Sequence, residues 1–165
     1  MTAVMERKTE GAVGQTAGGT SQFSTFYVGD LFFGIEVVRV QEVLRYQEMT
    51  RVPLAPEVIG GLINLRGQIV TAVDMRQRLR LTPREAGRLP LNMVIRSGDG
   101  VVSLLVDEIG DVLEAPADAF ELPPDNLTGL SRELIRNVYK LKGRLLLILD
   151  TEKAIDIGAE AAGAK

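Results

Sequence analysis

The chain alternates short apolar runs with glycine-bearing turns, the pattern of hairpins rather than of long helices. Four hairpins follow from it. Phe23 to Val28 leads through Gly29-Asp30 into Leu31 to Glu36. Gly61 to Leu65 leads through Arg66-Gly67 into Gln68 to Asp74. Met93 to Arg96 passes Ser97-Gly98-Asp99-Gly100 into Val101 to Asp107, and Asn137 to Leu141 passes Lys142-Gly143 into Arg144 to Asp150. Glycine at such turns accepts the positive φ that tight hairpins demand. Short helical pieces are expected at Val37 to Leu44, Asp74 to Leu81 and Thr151 to Ile157. The last two begin near an Asp or Thr able to cap a helix start.

The pattern also repeats. Arg66-Gly67-Gln68-Ile69-Val70-Thr71-Ala72-Val73-Asp74 matches Lys142-Gly143-Arg144-Leu145-Leu146-Leu147-Ile148-Leu149-Asp150 in its basic-Gly opening, aliphatic body and closing Asp. Val37, Val40, Glu42, Val43 and Leu44 align with Val106, Ile109, Asp111, Val112 and Leu113. Pro56 to Leu62 aligns with Pro124 to Leu130. The three pairings share one order at a spacing of roughly 70 residues, which predicts a duplicated β unit. Each unit is too small for a large core of its own, so the two are expected to pack together. Residues 1–20 and 159–165, rich in Gly and Ala, are expected to be flexible tails around a domain spanning 21–158. Its subdomains fall near 21–88 and 89–158, with strand exchange between them left open.

Composition narrows the function. The sequence has no cysteine and no histidine, which removes disulfides, thiolate chemistry, the commonest neutral-pH acid/base group and the commonest metal ligand. No cofactor, metal site or catalytic residue is expected. The net charge of −3 supplies no broad positive field for nucleic acid or anionic lipid. No apolar run approaches the ~20 residues of a membrane-spanning helix, and the charged N-terminus lacks the apolar core of a secretory signal. A cytoplasmic location without membrane insertion is expected.

The most informative segment is Gly60-Gly61-Leu62-Ile63-Asn64-Leu65-Arg66-Gly67-Gln68-Ile69-Val70. Strand alternation puts Leu62, Asn64 and Arg66 on one face and Ile63 and Leu65 on the other. An amide and a five-donor guanidinium then stand beside a tight turn, either as solvated turn groups or as a fork for a carboxylate or carbonyl.

This segment, with Val73 and Asp74, resembles the CheW family of chemotaxis coupling proteins. The resemblance extends upstream to Phe26-Tyr27-Val28-Gly29, Phe33-Gly34-Ile35 and Val40-Gln41-Glu42-Val43. Downstream it takes in Leu105-Val106-Asp107-Glu108-Ile109 and Leu147-Ile148-Leu149-Asp150, covering roughly 22–157. It departs at Thr71-Ala72, where members often carry Pro, a change expected to alter a strand edge. The resemblance implies a mostly β fold of two packed five-stranded SH3-like barrels. It implies a non-catalytic adaptor joining chemoreceptor cytoplasmic helices to the regulatory domain of a chemotaxis-type histidine kinase, in arrays at the membrane. A receptor helix would dock in a groove between the barrels. By motif position the coupling residues would be Val40, Glu42, Gly61, Asn64 and Arg66, while kinase contacts would fall on exposed apolar strand edges. Gly61 would admit a partner helix closely, and Glu42 and Arg66 would pair with each other or with receptor charges. On pattern alone Val40 reads first as a core residue and Gly61 as a turn. A sister pathway controlling surface motility or gene regulation fits the same residues, and exposed barrel edges leave weak self-association open.

Two features point elsewhere. Asp74, Asp107 and Asp150 resemble a carboxylate cluster, but Asp74 and Asp150 hold equivalent strand-end places where Asp caps a turn. Arg76, Arg78, Arg80, Arg84 and Arg88 form a basic stretch interrupted by Glu85 and free of aromatics, expected to be a solvated connector. A deep pocket lined by Asp74, Asp107 or Asp150 would favour an enzyme, and a basic stripe across one barrel face would favour a nucleic-acid binder.

Overall fold

A computed structural model describes residues 19–98, 100–116, 118–125 and 132–156. The expected tail at 1–20 lies outside the described residues up to residue 18, and the one at 159–165 lies wholly outside them. Strands run β1 (Thr20–Val28), β2 (Leu31–Glu36), β3 (Val40–Leu44), β4 (Ile59–Leu65), β5 (Gln68–Asp74), β6 (Leu91–Ser97), β7 (Gly100–Val106), β8 (Glu108–Pro116), β9 (Ile135–Leu141) and β10 (Arg144–Leu149). Short helices α1 (Met75–Arg78) and α2 (Thr151–Ala154) follow β5 and β10.

The strands form two five-stranded sheets, β8-β1-β2-β10-β9 and β3-β6-β7-β5-β4. Advancing every strand of one order by five places, cyclically, gives the other. The duplication therefore holds strand by strand, and each sheet draws strands from both halves of the chain. It also holds in register. Leu147 stands beside Phe33 in one parallel pairing and Thr71 beside Val102 in the other. Phe26 faces Ile109 where Ile95 faces Val40, and a bulge follows at matching places in both pairs.

In each sheet the segment that follows one outer strand bonds to the other outer strand. Thr50 exchanges backbone hydrogen bonds with Leu62 on β4, and Glu121 exchanges them with Val138 on β9. These links close the five-stranded units into the expected barrels and cover the edges that open sheets expose.

Alternation along the strands feeds three apolar clusters. Phe23, Phe32, Tyr139, Leu146 and Ile148 fill one barrel, and Ile63, Leu65, Val70 and Val94 fill the other. Between them lies a shared core. Phe26, Phe33 and Ile35 from one sheet pack there with Met93, Ile95, Leu104 and Val106 from the other. Neither small barrel needs a large core of its own when the interface supplies one.

Four expectations need correction. Val37 to Leu44 is helical only over the 3-10 turn Val37–Arg39; bulge pairing with β6 holds Val40 to Leu44 extended. The equivalent β8 was not read as a strand at all. The pairing of Pro56–Leu62 with Pro124–Leu130, whose residues 126–130 lie outside the described ones, is not the register that the described strands give. Asp74 N–H donates to Val58 O and Asp150 N–H to Leu134 O, so Val58 corresponds to Leu134 and Leu62 to Val138. Finally, Thr71 lies in β5, an interior strand between β7 and β4, so the departure at Thr71-Ala72 is not at a strand edge.

Candidate functional site

The β4–β5 hairpin turns on Arg66 and Gly67, both at positive φ (51° and 88°), the geometry of a tight two-residue hairpin turn. Asn64 Oδ1 accepts the Gly67 N–H at 2.8 Å, so the amide fixes the turn from within. With the turn fixed, the Arg66 guanidinium reaches across the barrel seam and donates to the Glu42 carboxylate on β3. β3 and β4 are the outer strands of their sheet, so this pair ties first strand to last. Arg66 is 68% exposed and Glu42 22%, which leaves most of the guanidinium open to an incoming group.

The alternation read from the sequence holds: Ile63 and Leu65 are buried, while Asn64 and Arg66 face out. Ile69 stands directly across from Asn64 and is 61% exposed. Val43, one residue past Glu42, is 42% exposed. These two aliphatics were not singled out from the sequence. The signal available was β-strand alternation, which sets Val43 on the face opposite Glu42.

Val40 and Gly61 behave differently from the expectation. Val40 is half-buried and packs against the shared core, so its core reading and its edge position are both true. Gly61 is buried at φ 151°, and a Cβ there would stand 2.9 Å from Met49 Cβ and from Thr50 O. Its missing side chain makes room for the chain's own Met49–Thr50 segment. The expectation that Gly61 admits a partner helix directly is corrected accordingly.

The three aspartates are engaged structurally. Asp74 accepts the N–H groups of Arg76 and Gln77, and Asp150 accepts that of Lys153, each capping the helix that follows. Asp107 accepts from Gly29 N–H at 2.7 Å, from Arg76 at 2.8–3.1 Å and from Arg84 Nε at 3.0 Å. Burial pushes the Asp107 carboxyl up, but the hydrogen bonds from Arg76, Gly29 and Arg84 outweigh it and hold the group below the usual aspartate range. The same bond to Asp107 raises Arg76 further against its burial. A carboxylate so held is a poor general base and no acid at neutral pH.

Two clefts flank the connector. One, of about 310 Å³, is lined by Arg76, Arg84, Arg88 and Asp107; the other, of about 460 Å³, by Tyr46, Met49, Asp74 and Leu89 among others. Val40, Glu42, Asn64 and Arg66 line neither. Both clefts do contain an expected aspartate, but Asp107 is bound to two guanidiniums and Asp74 caps a helix, so each is already engaged. Among the described residues no His, Cys, Asp and Glu side chains are grouped to hold a metal ion.

The arginines do not form a solvated connector. Arg78 is only 5% exposed, Arg76 and Arg84 grip Asp107, and only Arg80 and Arg88 point to solvent. Spacing hid this, because the turns that aim each arginine are not visible in a basic run.

The family model for the CheW-like domain matches residues 22–158. The chemotaxis protein CheW of Klebsiella aerogenes is 31% identical over 142 residues, covering 86% of this chain and 84% of its own length. The Bacillus subtilis chemotaxis protein CheW is 31% identical over 131 residues, covering 79% and 84%. Among solved structures, the scaffolding protein TtCheW from Thermoanaerobacter tengcongensis superimposes with a TM-score of 0.74 at 22% identity. The match covers 82% of this chain and 92% of that one, a likeness of fold.

Proposed function

The chain belongs to the CheW family, and on that premise we propose that it joins the cytoplasmic helices of chemoreceptors to the regulatory domain of a chemotaxis-type histidine kinase. It is a non-catalytic coupling adaptor of chemotaxis. Its workplace is the cytoplasm, at membrane-associated receptor arrays. Among the described residues no helix is long and apolar enough to cross a membrane.

One observation carries the assignment of the receptor side. Glu42, Asn64 and Arg66 converge at the seam of one barrel, with the guanidinium presented outward from a turn that Asn64 fixes. Val40 lies on the same edge strand, and Gly61 acts from beneath by seating Met49 and Thr50. A helix bearing carboxylates would meet a preformed donor fork there, flanked by exposed Ile69 across from Asn64. The ion pair is worth ~0–1 kcal/mol in place, so it sets orientation more than affinity.

The mechanism is simultaneous binding. Receptor and kinase occupy different surfaces of one rigid body, so a change at one biases the other through linkage. The test is a pull-down with purified kinase and a receptor cytoplasmic fragment, using wild type, Arg66→Ala and Glu42→Ala. The wild type is expected to form the ternary complex. The variants should weaken receptor binding roughly two- to tenfold while leaving kinase binding unchanged. Wild-type binding to neither partner sinks the assignment.

A further inference from the structure

The barrels meet at a polar joint that the adaptor function has not so far used. Arg78, at the end of α1, is 5% exposed. Its Nε donates to Ala154 O at 2.9 Å and its Nη2 to Lys153 O at 2.8 Å, so the guanidinium caps the last carbonyls of α2. α1 follows β5 of one sheet and α2 follows β10 of the other. The duplication that equates Asp74 with Asp150 also equates Arg78 with Ala154. Two equivalent residues can touch only where they straddle the axis relating the repeats, so Arg78 sits on the molecule's pseudo-twofold axis. One repeat supplies a fork there and the other an alanine that leaves room for it.

A second clamp lies to one side. Asp107 marks the point where the chain leaves β7 in one sheet for β8 in the other. It binds the Gly29 N–H in the β1–β2 turn of one sheet, and Arg76 and Arg84 after β5 of the other. Beyond these clamps the interface consists of the apolar core, a backbone bond from Asp107 N–H to Tyr27 O at 2.9 Å and an exposed Arg39–Glu152 ion pair at 3.6 Å; apolar contact fixes area more than angle, and an exposed pair adds little. Hydrogen bonds with fixed geometry are the terms that select one angle.

We propose that Arg78 is the positioning residue of this adaptor. With the Asp107 clamp it sets the angle between the barrels, and so the spacing of the two partner surfaces. Its consequence for signalling rests on the coupling role above; its effect on the angle does not. The absence of cysteine makes the angle measurable, because introduced cysteines are the only thiols. Gln68 on one sheet and Arg136 on the other are exposed and outside both clamps.

The experiment attaches spin labels to full-length protein carrying Gln68→Cys and Arg136→Cys, and measures the distance distribution by pulsed electron resonance. Arg78→Met should broaden a narrow wild-type distribution, Arg78→Lys should restore part of it, and Asp107→Asn should broaden it independently. In the assembled array, Arg78→Met should keep each separate partner affinity within about twofold while receptor control of the kinase falls at least about tenfold. An unchanged distribution in Arg78→Met overturns the proposal, whatever Asp107→Asn does. So does joint loss of both affinities in Arg78→Met with no recovery in Arg78→Lys, which would mark a merely structural residue. Should the wild type bind neither partner, the coupling role fails, and the distance measurement still decides the joint.

Discussion

At the scale of single residues, small geometric facts decide what each side chain does. Gly61 combines a positive φ with Thr50 O and Met49 Cβ each 2.9 Å from any added Cβ. Neither Thr50 O nor φ can yield cheaply, so Gly61→Ala should lose about 2 kcal/mol or more of stability in urea unfolding. A change under about 0.5 kcal/mol would show that the Met49–Thr50 segment relaxes freely. Asp107 gives a pH prediction. Its folded pKa lies below the ordinary 3.8, so in the acid range the unfolded chain binds more protons than the native one. Its stabilising contribution is therefore complete above 3.8 and is lost as pH falls through the lower native value. Asp107→Asn should flatten that part of the acid unfolding curve, and an unchanged curve would contradict the paired state. Asn64 and Arg66 were legible in the sequence because strand alternation beside a turn fixes their face. Gly61 was legible as important but not in its reason, because the segment that packs on it lies in a loop whose path no periodicity encodes.

Among the elements, the hairpins were the easiest to read, since β-period alternation and a glycine turn signal the same thing. β3 and β8 escaped because each carries a bulge beside its pairing with β6 or β1, which breaks strict alternation. The duplication explains why the same pair failed together. It also makes the caps comparable. Asp74 accepts two backbone N–H groups and Asp150 one, so Asp74→Ala should cost about 1 kcal/mol and Asp150→Ala somewhat less. Equal unfolding midpoints for all three proteins would show that the caps are idle.

For the whole molecule, the exchange of strands has a folding consequence. Every barrel needs strands from both halves, and the shared core joins them, so neither half has a barrel to fold into. Fragments cut in the exposed connector near Gly87 should each be unfolded alone by circular dichroism and recover β structure only when mixed. A folded isolated half would refute this. The cyclic strand order was not legible, because apolar runs predict strands but not partners. The polar joint was hidden for a related reason: Arg78 and Ala154 are neighbours only by virtue of the pseudo-twofold axis. The central claim is that two partners occupy separate surfaces of one rigid adaptor. Titrating receptor cytoplasmic fragment into the preformed adaptor–kinase complex, read by sedimentation, tests it most directly. The account predicts a larger, three-component species in which no kinase is released. Displacement of the kinase by the receptor fragment would mean one shared surface and would contradict it.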